Sequence, residues 1–520
     1  MKELPPFEIA KTRLSPLEKI GQFFMPAAFI NDTEEEIQAL ETLIRDYGIG
    51  GICFFHSRAS AATNFEGKKE VIRNEESFET LKSLIKRYQS ASKYPLFIAI
   101  DAEWGLAMRI ENTPQYPYAI TLGAFSGKEE LIYEVGKNIA QDCLAAGIHW
   151  NLSPVVDINN NPNNPVIGYR SFGDDREQVT KKALAYIKGT ESLGALTSIK
   201  HFPGHGDTSV DSHLGIPVID KSKKELLENE LYPFQKIISE GIDAIMVGHL
   251  SIPALANGKD TPASISREII TDFLRGQMHF KGVVISDALN MHAVSKNYSV
   301  PGELEWLAFH AGNDILCFAE HVKEGIETIA KNSTEKQLEE TFERVWKLKE
   351  KAMGNPNQDK FTKLSKSEEL NRKIAKESIT LYKGSEEDIE DFDQKTFCTL
   401  TFQRSKKSSS PEEILSFLTE ATQEIKNEKN ILLLLTPPKV KPANHFGFLK
   451  AEIDFINTLL EEKNVVLYHF GNPYSLKLFD IKKSLATVLV YQDFTEFQDM
   501  ATEHFLGKIK ANGKLPVSLT

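Results

Sequence analysis

The sequence predicts an α/β protein, with an N-terminal (β/α)8 barrel followed by a smaller C-terminal α/β sandwich domain. Three observations point there. Eight short apolar runs alternate with amphipathic helical stretches over the first two-thirds of the chain. Most of these runs open near glycine and end on polar residues. After a polar stretch, a second and shorter set of apolar runs begins. Strand–helix alternation calls for a parallel sheet, and eight repeats in roughly 350 residues fit a closed barrel with insertions.

In chain order the runs are Gly21–Phe29, Gly48–Phe55, Pro95–Ile100, Ile148–Val156, Ala195–Ile199, Ala244–Val247, Gly282–Ile285 and Asp314–Phe318. Helical patterns lie between them at Glu34–Tyr47, Ser77–Ser90, Lys128–Ala146, Arg176–Leu193 and Lys223–Ser239. An open doubly wound sheet is the alternative architecture. Its dinucleotide-binding form lacks support, because no GxGxxG follows the first run. A charged helix, Glu335–Met353, closes a barrel domain expected over residues 1–353. Residues 354–377 read as a linker and 378–520 as the second domain, with runs at Ile379–Tyr382, Thr396–Phe402, Ile431–Leu435, Val465–Phe470 and Ala486–Tyr491.

Composition narrows the function classes. With 520 residues the chain exceeds one ordinary domain, and 41% apolar residues supply large cores. The formal charge of −12, from 61 basic and 73 acidic residues, disfavours nucleic-acid and anionic-membrane partners. The short basic cluster Arg404–Lys407 reads as a solvated loop. Cys53, Cys143, Cys317 and Cys398 are scattered without a CxxC pair, as expected of buried free thiols in a reducing compartment. The N-terminus lacks an apolar signal core, and no stretch is long and apolar enough to span a bilayer. A soluble, cytoplasmic protein is the expectation.

In a parallel barrel, reactive groups belong at the C-terminal ends of strands. Asp101 ends PLFIAI, Lys200 and His201 end ALTSI, His249 follows AIMV, and Asp287 ends GVVI. Asp157 ends a fifth run. Any one of these alone reads as a helix cap, but together they argue for one shared cleft. Residues 198–217, SIKHFPGHGDTSVDSHLGIP, extend the argument. Pro203, Gly204 and Gly206 favour a turn, after which a loop carries Asp207, Asp211 and His213 over the mouth. Two residues of separation let the Asp211 carboxylate bond one imidazole nitrogen of His213 and fix its tautomer. An imidazole pKa of about 6.5 suits proton transfer near neutrality.

Three chemistries compete for these residues. His201, His205, His213 and Asp287 could ligate a metal, but their spacing matches no common zinc pattern and HExxH is absent. A cleft used only for recognition is the second. Glycoside hydrolysis is the third, with Asp287 attacking an anomeric carbon and His213 protonating the leaving oxygen. A phosphate loop is weaker, since GxxxxGK[ST] is missing.

Taken together, these residues resemble glycoside hydrolase family 3, and within it the bacterial β-N-acetylglucosaminidase branch. Lys200-His-Phe-Pro-Gly-His-Gly206 followed by Asp211-Ser-His213 is the most specific motif. Ser286-Asp287 with Met291, Asn151–Asp157 and Arg170-Ser-Phe-Gly173 add to it. Glu377–Leu381, Phe470–Tyr474 and Gly513–Val517 resemble the family's second domain. The resemblance implies a retaining double displacement without metal or cofactor. Asp287 forms a glycosyl–enzyme ester, and His213, oriented by Asp211, serves as acid and then base. It implies that Asp101, Arg170, Lys200 and His201 bind sugar hydroxyls, with Asp157 and Arg109 as neighbours and His249 lining the cleft. β-Glucosidase relatives take their acid from the second domain, whereas here a first-domain loop supplies an Asp–His pair, so N-acetylglucosamine is the preferred sugar. The implied partners are N-acetylglucosamine-containing oligosaccharides or muropeptides, as in peptidoglycan recycling. A β-glucosidase or a phosphate-using N-acetylglucosaminidase is the alternative. Trp104 departs from the family's double glycine in Asp101–Gly105, and Asn161–Asn164 forms an insertion-like loop of unassigned role.

Overall fold

Buried apolar segments become parallel strands wherever a following amphipathic helix can cover them. A computed structural model describes residues 3–58, 73–209, 215–358, 360–403 and 411–519. Two compact units are present. The first comprises residues 1–116, 132–158 and 179–366, and the second 117–131, 159–178 and 367–520.

In the first unit the strands are β1 (Phe24–Met25), β2 (Ala27–Phe29), β3 (Gly51–Phe55), β4 (Phe97–Ile100), β5 (Trp150–Asn151), β6 (Leu196–Thr197), β7 (Ile199–Phe202), β8 (Ala244–Val247), β9 (Val283–Ser286) and β10 (Leu316–Cys317). Each falls within or overlaps one of the eight predicted runs. All pair in parallel, in the orders β1-β10, β2-β3-β4-β5-β6 and β7-β8-β9. Among the described residues these form three sheets rather than the single closed sheet expected. The interruptions have local causes. Pro26, between β1 and β2, has no N–H to donate. Ser198, between β6 and β7, sends its N–H to the Ser153 carbonyl, and its hydroxyl oxygen accepts from the Trp150 indole N–H.

The helices follow their signals closely. Glu34–Tyr47 starts at a Thr33/Glu36 capping box, stops at left-handed Gly48, and buries Ile37, Leu40 and Ile44 along one stripe. Glu335–Met353 forms as predicted. The stretch expected as one helix over Lys223–Ser239 is instead two, Lys223–Glu228 and Tyr232–Ser239. Pro233 is the reason, since it fits the first turn of a helix and not its interior.

In the second unit, β11 (Thr380–Lys383), β12 (Cys398–Phe402), β13 (Asn430–Leu435), β14 (Asn464–His469) and β15 (Ala486–Leu489) form one sheet in the order β11-β15-β14-β13-β12. Only β11 is antiparallel. Leu433, Leu467 and Val488 are fully buried along its middle. Cys53, Cys143 and Cys317 are buried free thiols as expected, but Cys398, in the edge strand β12, is partly exposed. No helix among the described residues is long and apolar enough to cross a membrane.

One buried carboxylate pins β9 to β10. Asp314 is fully buried and accepts from Arg275 (2.5 Å), Arg344 (2.9 Å) and the Val284 amide (2.8 Å). Removing one partner of a buried ionic group leaves the others uncompensated, so Asp314→Ala is expected to destabilise the first unit by about 3–5 kcal/mol. Chemical denaturation of the variant against the parent chain measures this.

Candidate active site

Two of the expected polar residues, Asp101 and Arg109, gather with Glu103 around one buried cation. Lys200, on β7, is 2% exposed. Its Nζ lies 2.7 Å from Asp101 Oδ1 and 2.8 Å from Glu103 Oε1, both just beyond the end of β4. The second Asp101 oxygen accepts from Arg109 Nη2 at 3.1 Å, and the Arg109 guanidinium stacks 3.5 Å from the Phe55 ring centroid. Two cations and two carboxylates thus balance, which is what permits charge at this depth. Burial alone would raise the Asp101 pKa, but Lys200 and Arg109 more than offset it and hold the carboxyl below its ordinary value. Asp101 therefore stays ionised and able to accept from hydroxyl groups.

Asp157 organises the turn after β7. It is fully buried and accepts from the His201 amide (3.2 Å), the His201 Nδ1 (2.7 Å) and the His205 amide (2.7 Å). Burial pushes its pKa up, yet His201 and these hydrogen bonds bring it below the usual range. The carboxylate fixes a proton on His201 Nδ1 and so sets the ring's orientation. The Lys200–His201 and Phe202–Pro203 peptides are cis. Gly206 packs so closely that a Cβ there would sit 1.6 Å from the Ile158 carbonyl oxygen.

Asp287 stands at the end of β9, partly exposed, with its amide bonded to the Val247 carbonyl (2.9 Å) and its Oδ1 accepting from the Ala288 amide (2.8 Å). Lys200 on β7 and Asp287 just after β9 belong to one parallel sheet, β7-β8-β9, with Asp287 at its C-terminal edge. A hydrogen bond from the Cys317 thiol to Cys53, together with burial, pushes the Cys317 pKa well above its ordinary value and keeps the thiol protonated. His249 is fully buried, its Nδ1 2.6 Å from Ser264 Oγ and its Nε2 donating to the Ala288 carbonyl at 2.9 Å. The ring thereby braces the residue next to Asp287.

Arg170 belongs to the second unit, where it ends the turn Gly168–Arg170. The Asn161–Asn164 loop acquires a role here. Asn164 Oδ1 accepts from the Val166 and Ile167 amides at 2.9 and 2.8 Å and shapes the approach to that turn. Trp104 is half-buried, and its carbonyl accepts from the Tyr116 amide at 2.9 Å. Asp211 and His213 lie outside the described residues, as does the Arg404–Lys407 cluster. Among the described residues, no group of three or more His, Cys, Asp or Glu side chains is placed to hold a metal.

Sequence reasoning missed Glu103 as the second carboxylate on Lys200. The signal was its place two residues beyond Asp101, on the same side of an extended chain. It also treated His205 only as a candidate metal ligand. His205 is buried, and its Nδ1 lies 2.8 Å from Thr208 Oγ1. The Thr208 hydroxyl donates to the His205 carbonyl (3.1 Å), which leaves its oxygen to accept the Nδ1 proton of a neutral ring. Burial, with His201 adding to it, lowers the His205 pKa to about 4.

That lowering has a defined sign. Between the ordinary value of 6.5 and about 4, the unfolded chain binds a proton at this site that the native state refuses. Its contribution is complete above the upper value and lost as pH falls through that window. His205→Gln is expected to flatten the acid limb of stability against pH between about 6.5 and 4. Denaturant titrations of both proteins at several pH values give the difference.

Comparison with known proteins agrees with this geometry. The family description "Glycosyl hydrolase family 3 N terminal domain" matches residues 17–348. The chain is 34% identical over 340 residues to Beta-hexosaminidase A of Pseudoalteromonas piscicida, covering 60% of this chain and 55% of that protein. It thus spans little more than half the length of that relative. It is 36% identical over 247 residues to a Beta-hexosaminidase of Tolumonas auensis, covering 47% of this chain and 72% of the other. Its fold is similar to that of a glycoside hydrolase family 3 beta-N-acetylglucosaminidase from Paenibacillus sp. str. FPU-7, with a TM-score of 0.77 and 24% identity over 98% of this chain and 99% of that one. A match across most of the strand-bearing first unit, with Asp101, Lys200, His201 and Asp287 all inside it, places this chain in glycosyl hydrolase family 3.

Proposed function

We propose that this chain is a retaining glycoside hydrolase that removes β-linked N-acetylglucosamine from the nonreducing end of oligosaccharides or muropeptides. One observation carries the reading. A charge-balanced cluster of Asp101, Glu103, Lys200 and Arg109, with Lys200 on β7, stands in the same parallel sheet whose strand β9 ends at the partly exposed carboxylate of Asp287. The names of the curated relatives support the choice of sugar. We read β1 to β10 as one interrupted (β/α)8 circuit. Pairing of β10 with β1, and single parallel bridges at Val155–Lys200 and Ile285–Ile315, support that reading. The free thiols fit a reducing, cytoplasmic setting.

In this reading Asp101, Lys200 and His201 grip the terminal sugar. A carboxylate accepts from paired hydroxyls while the cation and imidazole orient them. For Arg170 the same role rests on its motif alone. Asp287 attacks the anomeric carbon, the C–O bond to the leaving group breaks, and His213 delivers its proton to the departing oxygen. His213 then takes a proton from water, which attacks the anomeric carbon, releases Asp287 and retains configuration. Asp211 holds the His213 ring and supports its cationic form. His249 contributes by holding the Ala288 carbonyl beside the nucleophile.

Asp287→Asn is expected to lower turnover of aryl N-acetyl-β-glucosaminides by a thousandfold or more, roughly the loss seen when a reacting side chain is removed. An active variant would remove the proposed nucleophile. His213→Ala is expected to slow alkyl glycosides far more than 4-nitrophenyl ones, because a good leaving group does not need the proton. Equal losses on both would dismiss the acid. Product analysis with and without phosphate distinguishes a sugar phosphate from free N-acetylglucosamine, and turnover is expected to survive EDTA.

A further inference from the structure

A buried hydroxyl from a neighbouring helix holds the main chain between Asp101 and Glu103. The strand β4 ends at Ile100, whose carbonyl accepts from the Leu152 amide at 2.9 Å. One residue past Asp101, among the described residues, the Ala102 amide has a single partner, and it is a side chain. Asn151 Oδ1 accepts it at 3.0 Å, and Asn151 Nδ2 returns a bond to the Ala102 carbonyl at 3.2 Å. Tyr186, on the helix Arg176–Glu191, completes the arrangement. Its hydroxyl lies 3.1 Å from Asn151 Nδ2, 3.2 Å from Ser153 Oγ, 3.2 Å from the Ala102 carbonyl and 3.3 Å from the Glu103 carbonyl. Asn151, Ser153, Ala102 and Tyr186 are all buried, and all belong to the first unit. The valences balance. A hydroxyl has one proton and two lone pairs. The lone pairs accept from Asn151 and Ser153, and the one proton is shared by the two carbonyls.

We propose that Tyr186, working with Asn151, is a positioning residue for Asp101 and sets where that carboxylate meets the sugar. The inference rests on the sugar-holding role proposed above for Asp101. Lys200 and Arg109 fix the direction of the Asp101 carboxylate, but both are side chains and neither touches the main chain that carries it. That main chain has left the sheet. In a strand, neighbouring carbonyls point to opposite edges, whereas those of Ala102 and Glu103 converge on one hydroxyl. Besides Asn151 and Tyr186, the Ala102 carbonyl meets only the Gly105 amide of its own turn, at 3.3 Å. A buried network in which every donor and acceptor is answered admits one arrangement. Burial pushes the Tyr186 pKa up, so the phenol keeps the proton that the carbonyls need. The precision matters because a misplacement of about 1 Å at a group that orients substrate costs on the order of a hundredfold in rate.

A double-mutant cycle separates positioning from packing. Tyr186→Phe removes the hydroxyl and keeps the ring. We expect it to lower kcat/KM on 4-nitrophenyl N-acetyl-β-glucosaminide by roughly tenfold. Asp101→Asn is expected to cost roughly tenfold or more by itself. In the Asp101→Asn background, Tyr186→Phe should then cost less than about threefold, because the group it positions is already lost. Thr190→Val is the packing control. Thr190 lies on the same helix, and its buried hydroxyl bonds the Gly136 and Tyr186 carbonyls without touching Ala102. Its kcat/KM should stay within about threefold of the parent. Should Tyr186→Phe not fold, Asn151→Ala takes its place in the cycle with the same expectations. An unchanged Tyr186→Phe enzyme, an undiminished loss in the Asp101→Asn background, or an equal loss in Thr190→Val overturns the positioning role. A parent that does not turn over the glycoside, or an Asp101→Asn variant as active as the parent, overturns the sugar-holding reading and the inference with it. A parent that is active and an Asp101→Asn variant that is impaired, with Tyr186→Phe uncoupled from Asp101, sink the inference alone.

Discussion

The Asp157 carboxylate is the constraint on which the rest of the site depends. A fully buried anion must be answered by donors, and three of those it receives come from the short stretch after β7. Two of them are backbone amides, so the carboxylate shapes the chain as well as orienting a side chain. With the His201 and His205 amides turned inward, Lys200 is directed to the Asp101 side, and Gly206 is pressed against Ile158. Any residue with a Cβ at Gly206 would displace the strand-end segment that supplies Asp157 itself. Strand end, turn and loop exit are therefore one mechanical unit.

Buried charge is handled differently at the two ends of the strands. At the C-terminal ends Lys200 meets two carboxylates, and Arg109 meets one of them together with an aromatic face. At the N-terminal ends Lys349, also fully buried, finds only neutral partners. It donates to Gln22 Oε1 and the Gly50 carbonyl, with the Phe97 ring 5.2 Å away. Burial lowers its pKa to about 7. A cation without an anion becomes a group that can give up its proton. Lys200, by contrast, has an anion on each side.

The sequence made much of this legible, for a physical reason. Polar residues at the ends of apolar runs must find polar partners or a ligand, so Asp101, Asp157, Lys200, His201 and Asp287 stand out in the sequence. Gly204 and Gly206 likewise announced a tight turn. What stayed hidden depends on partners far away in the chain. Glu103 looked like one more acid until Lys200 was seen to need two. Tyr186 carries no local pattern, and only the fold brings it to Ala102. The interruptions at Pro26 and Ser198 and the helix break before Pro233 are backbone hydrogen-bond effects that an apolar-run reading passes over. His249 reads the same from sequence whether it faces a ligand or, as here, donates to the Ala288 carbonyl.

In the proposed chemistry, groups that would hold the sugar and attack it are fixed by burial. Lys200 and Asp157 cannot move without exposing or stranding a charge, and Asp287 is tied through its own amide to Val247 and through Ala288 to His249. Such an arrangement suits a reaction in which one group must first protonate a departing oxygen and then deprotonate an arriving water at nearly the same point. The nucleophile and the sugar have to stay still through both steps, whereas the acid–base group has to tolerate an exchange of partners.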